Sequence, residues 1–160
     1  MRRRPKRLLL WTAVIGLMAL IFAFSAQQGS ASNGMTEAAV MPLAELLAEA
    51  GDGSKNTVLI IYSIIGTIVR KAAHLAEYAL LALLVHLLLI SYGQKRKWPA
   101  IVICVLYAVT DEVHQAFVPG RVGAAIDVVI DAVGVTAGVF IPDIIKRLLR
   151  NRRKKHVFYL

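Results

Sequence analysis

The sequence is poor in the residues and motifs that most soluble enzymes rely on. Its single cysteine, Cys104, stands inside an apolar run, so no intramolecular disulfide can form, and a thiol in such surroundings is inert. There is no HExxH pair and no GxxxxGK[ST] loop, which removes the zincin and P-loop readings. No internal repeat is evident, which argues against a transporter built from duplicated halves. Charged residues make up only 18% of the 160 positions, against 58% hydrophobic, more apolar material than a soluble domain of this size carries.

What is present is a set of long apolar runs with basic flanks. Met1 to Arg7 is a basic head before an apolar run from Leu8 to Phe24. A secretory signal has a similar head and core, but the run is longer than a signal core and SAQQGSASN lacks an Ala-x-Ala site, so a retained first span is expected. Gln27 to Asn56 is more polar and holds MTEAAVMPLAELLAEA, whose spacing predicts a short amphipathic helix over the mouth of the bundle. Thr57 to Ile90 is about 50 Å long if wholly helical, too long for one span. Arg70 and Lys71 divide it, so Val58 to Val69 reads as an outer approach segment, interfacial or folded back.

The expected fold is all-α: one polytopic membrane domain over residues 1–160, with four transmembrane helices at about 8–25, 70–91, 99–118 and 124–142, plus an extracellular amphipathic segment. Pro142 ends the last span, and a basic cytoplasmic tail follows over 146–160. Fifteen of the nineteen Lys and Arg residues then fall on one side, which the positive-inside rule makes cytoplasmic, with both termini there. The formal charge of +9 therefore reads as an affinity for the membrane surface, not for nucleic acid. Trp11 and Trp98 sit near cytoplasmic helix ends, and His86 reads as a satisfied interfacial histidine off the main polar layer.

Ionisable residues inside apolar spans are costly and mark functional sites by default. Counted from the cytoplasmic helix ends, Glu77 lies at about 20 Å and His74 at about 24 Å, Asp111 at about 18 Å and His114 at about 22 Å, and Asp131 at about 16 Å and Asp127 at about 22 Å. Three helices thus deliver charges to one layer in the outer half of the bilayer core. Asp127, Asp131, Gly134 and Gly138 share a stripe, and a Gly-x-x-x-Gly pair lets another backbone approach, so the aspartates face the bundle. Glu112 and Gln115 accompany Asp111, and Arg70, Lys71 and Arg121 supply cations.

Three readings of this cluster stay open. The charges can neutralise one another and fix helix register. They can form an anion site at the outer leaflet, in which Arg70, Lys71 and Arg121 take a phosphate or carboxylate with Glu112, Gln115, Asp127 and Asp131 orienting them. Or they can catalyse, with His74, Glu77, Asp111 and His114 as acid/base candidates. A metal held by those last four residues is allowed by ligand type but lacks a signature spacing, and neither metal nor cofactor is expected. The Asp111 to His114 string is not a helicase box, because no phosphate-binding loop accompanies it.

The strings RKAAHLAEYALLALL (70–84), TDEVHQAFVPGR (110–121) and DVVIDAVG (127–134), with FSAQ (24–27) at the end of the first run, resemble the VanZ-like family of bacterial membrane proteins. Ala26 stands where a second serine is common in that family. The resemblance implies a plasma-membrane protein linked to low-level resistance to the glycopeptide teicoplanin. It also implies functional polar positions at Arg70, Lys71, His74, Glu77, Tyr78, Asp111, Glu112, His114, Gln115, Pro119, Gly120, Arg121, Asp127 and Asp131. Expected partners are membrane lipids and an anionic lipid or cell-wall precursor headgroup.

Overall fold

A computed structural model describes residues 3–27, 29–121 and 124–157. The described residues form five helices: α1 (Arg3–Ser25), α2 (Gly29–Glu49), α3 (Lys55–Ser91), α4 (Trp98–Ala116) and α5 (Ala125–Val157). Among the described residues, three stretches, Arg4–Ser25, Lys55–Ser91 and Ala125–Arg150, are long and apolar enough to cross a membrane. The run expected to form a span over 99–118 is the helix α4, which is not among those three; its last turns carry Asp111, Glu112, His114 and Gln115.

α1, α3, α4 and α5 meet around one core. Small residues at every fourth position of α4, namely Ala100, Cys104 and Ala108, bring it against Tyr78, Leu81 and Val85 of α3, with Val14 and Ile21 of α1 and Val135 and Val139 of α5 filling the remaining sides. The outward faces are apolar as well: Leu106 is 61% exposed, Val113 55% and Val133 56%. That pattern suits lipid and would be a liability in water.

The segment before Arg70 is not folded back. α3 runs unbroken for 37 residues, about 55 Å, because Arg and Lys are good helix formers and a charge does not end a helix. α2 lies along its first half. Thr36, Val40, Ala44 and Ala48, each four residues after the last, are buried, and the Thr36 methyl sits 3.0 Å from where a Cβ on Gly66 would stand. The α2–α3 connection is fixed locally: Gly53 takes a φ of +62° and the Ser54 hydroxyl accepts from the Thr57 N–H at 3.1 Å. The Ser54 N–H in turn donates to Asp52 and holds that exposed carboxyl below its usual range. The amphipathic helix is therefore longer than its sequence suggested and is half of a helical hairpin.

α5 also passes the boundary expected of it. Pro142 lies inside the helix, which continues to Val157, because a proline already has the helical φ and removes one hydrogen bond without reversing the chain. Residues 158–160 of the basic tail lie outside the described residues. At the end of the bundle bearing the basic head, Arg7 donates to the carbonyl of Ser91 at 2.7 and 3.2 Å, satisfying a C-terminal carbonyl of α3. Trp11 donates to the Tyr92 hydroxyl at 3.2 Å, and Lys97 pairs with Asp143. His86 is 4% exposed and its Nδ1 has no hydrogen-bond partner among the described residues, so it is a core residue and not a satisfied interfacial one.

Candidate functional site: a polar layer and a charged cleft

At the opposite end of α1, Asp111 forms a hub. Its Oδ2 accepts from the Ser25 hydroxyl at 2.8 Å, the Tyr78 hydroxyl at 3.1 Å and the Gln115 amide at 3.1 Å, and Gln115 also donates to Ser25 at 3.1 Å. One carboxylate oxygen thus joins α1, α3 and α4. Asp111 Oδ1 is buried without a partner among the described residues, a costly arrangement that the three bonds on its other oxygen must outweigh.

Among the described residues, α3 and α5 make the most extensive helix contact, and glycine is the reason. A Cβ on Gly134 would strike the Leu75 carbonyl, and one on Gly138 would strike the Ala79 carbonyl. Close approach brings the polar stripes of the two helices into register. Lys71 pairs with Asp127 at 2.5 Å. His74 Nδ1 lies 3.6 Å from Asp131 Oδ1, within ion-pair range but too far for a hydrogen bond. Glu112 Oε1 accepts from the Ala124 N–H at 2.5 Å, which ties α4 to the start of α5 and places a carboxylate at a helix N-terminus.

The turn between α4 and α5 aims a cation. The Arg121 N–H donates to the Val118 carbonyl at 3.1 Å, Pro119 occupies the second position, and Gly120 has a φ of +77°, as a type II turn requires. The Arg121 guanidinium then reaches the end of α1 and donates to the carbonyl of Ser25 at 3.1 Å and of Phe24 at 3.5 Å. Beside it opens a cleft of about 260 Å³. Arg70, His74, Glu77 and Arg121 form its charged wall, Gln27 and Thr36 add polar groups, and Phe24, Met35, Ala39, Val69 and Ala73 make it apolar elsewhere.

The sequence-derived residues thus divide into three groups. Arg70, His74, Glu77 and Arg121 share the cleft. Lys71, Asp127, Asp131 and Glu112 are engaged in pairs that link α3 and α4 to α5 and its start, and Asp111 and Gln115 belong to the hub. His114 does not line the cleft; its ring packs on Phe22 of α1 at a centroid distance of 4.5 Å. Of the acid/base candidates, only His74 and Glu77 stand beside the two guanidiniums. Ser25 was not among the site candidates, although it sits in the FSAQ string, and Tyr78 was reached only through the family resemblance. Met35, Thr36 and Ala39 of α2 gave no local signal, because their place depends on how the hairpin docks. Chemically, two guanidiniums bind a phosphate or carboxylate, while the imidazole and carboxyl can exchange protons or orient a ligand. Among the described residues, no group of three or more His, Cys, Asp or Glu is placed to hold a metal ion.

A family profile described as VanZ/LLP1 matches residues 10–146, a stretch that includes every residue lining the cleft. No curated protein and no solved structure matches the chain.

Proposed function

The chain belongs to the VanZ/LLP1 family, and from that premise we propose that its cleft binds the anionic headgroup of an envelope lipid or cell-wall precursor at the outer leaflet of a bacterial plasma membrane. In this reading α4 is a fourth span, both termini are cytoplasmic, and the α2–α3 hairpin stands on the outer side. The observation that carries the proposal is the meeting of Arg70 and Arg121, from separate elements, with His74 and Glu77 in one cleft of about 260 Å³. Two cations at that depth favour an anion, since each guanidinium offers a planar fork of donors to phosphate or carboxylate. The acid/base pair beside them gives the site the means to modify the ligand as well as hold it. Binding or altering such a headgroup changes how the cell surface meets a lipophilic glycopeptide, in line with the low-level teicoplanin resistance that the family resemblance implies.

Cells carrying the wild-type chain, Arg70→Ala or His74→Ala at equal membrane levels test the proposal. The expected result is loss of any glycopeptide phenotype and of any change in envelope lipid composition, with unchanged thermal stability of the purified variants. Full retention of both by Arg70→Ala would count against it.

A structural reading is favoured for the hub alone, because Asp111 accepts from three helices at once. Its signature is different: substitution there lowers detergent stability before it touches any phenotype.

A further inference from the structure

The carboxylates of the polar layer differ in one respect. Asp111 accepts from Ser25, Tyr78 and Gln115, Glu112 from the Ala124 N–H, Asp127 pairs with Lys71, and Asp131 stands against His74. Glu77 alone among them has no hydrogen bond or ion pair with any described residue, and it lines the cleft. A half-buried carboxylate at membrane depth is expensive to leave unpaired. The cations that share its cleft, Arg70, Arg121 and His74, form no ion pair with it, which leaves its carboxylate open to a cation carried by a ligand.

The same cleft presents Arg70 and Arg121 for an anion, and Phe24, Met35, Ala39, Val69 and Ala73 as an apolar surface. Resting on the proposed binding of an anionic group by the guanidiniums, we infer that this group is one pole of a zwitterionic amphiphile: a phosphate for the guanidiniums, a primary ammonium a few bonds away for Glu77, and a hydrocarbon chain along the apolar wall. An ammonium suits Glu77 because its three donors match a carboxylate's lone pairs. The opposed charges of the cleft set the orientation of the ligand, so the preference is for a dipolar headgroup over a purely anionic one.

The test uses the full chain in detergent micelles, with methyl-labelled methionine and the Met35 methyl in the cleft wall as reporter. Dihexanoyl phosphatidylethanolamine, dihexanoyl phosphatidylglycerol and soluble O-phosphorylethanolamine are titrated in turn. The amine lipid should bind about tenfold more tightly than the glycerol lipid, and Glu77→Gln should erase that difference. O-phosphorylethanolamine should bind more weakly than the amine lipid, for want of a chain. Equal or tighter binding of the glycerol lipid by the wild-type protein overturns the zwitterion and leaves the anionic-headgroup reading standing. Equal binding of the soluble headgroup overturns the amphiphile. Absence of binding by all three ligands removes both proposals together.

Discussion

At the scale of single residues, the arrangement depends on which buried polar atoms find partners. Asp111→Ala strands the Ser25, Tyr78 and Gln115 donors together, whereas Tyr78→Phe removes one bond and leaves the others. The first should cost about 3 kcal/mol and the second about 1 kcal/mol, read as denaturant midpoints in detergent; equal effects would show that Asp111 is not the hub. The polar residues themselves were legible, because an Asp or His in an apolar helix stands out and helical rise gives its depth. What each one touches was not. His114 shares a face and a depth with Asp111, yet its ring lies on Phe22. Ser25 is an ordinary serine in a serine-rich stretch until Asp111 is placed beside it. Arg121 reads in the sequence as a cation for a phosphate or carboxylate, and only the turn at Gly120 shows that it also caps α1. Gly120→Ala should destabilise by about 1 kcal/mol or more, since the new side chain must hold a positive φ, and it should loosen Arg121 from Ser25.

At the scale of helices, lipid supplies no hydrophobic force between them, so backbone closeness does more of the binding than side-chain bulk. Gly138→Leu should disrupt assembly because the Ala79 carbonyl occupies the needed space, while Gly16→Leu, with nothing within 4 Å of its Cβ position, should leave the fold intact. Comparable melting temperatures for the two variants would contradict the α3–α5 packing. The Gly134 and Gly138 stripe was readable because its spacing and its aspartates coincide. The lengths of α3 and α5 were not. Charges at Arg70 and Lys71 and a proline at 142 look like boundaries in one dimension, but neither interrupts the hydrogen-bond ladder enough to turn a helix. The α2 hairpin was visible as amphipathicity, without its docking face, because Thr36 meets Gly66 only in three dimensions.

At the scale of the whole molecule, Arg7 and Lys97 stand at the end of the bundle away from the cleft, so the proposed function depends on the direction in which the chain would thread a bilayer. With four spans, a cysteine replacing Asp52 should react with an impermeant thiol reagent on intact cells, and one replacing Gln94 only after permeabilisation; the native Cys104 is buried and silent. Labelling of both positions from outside would rule out that topology. The central claim, that the cleft holds an anionic headgroup through its guanidiniums, is tested most directly by native mass spectrometry of the purified protein with an anionic phospholipid, wild type against Arg70→Gln. The account predicts that the variant keeps its melting temperature and loses bound lipid by about tenfold; the same lipid occupancy in both proteins would contradict it.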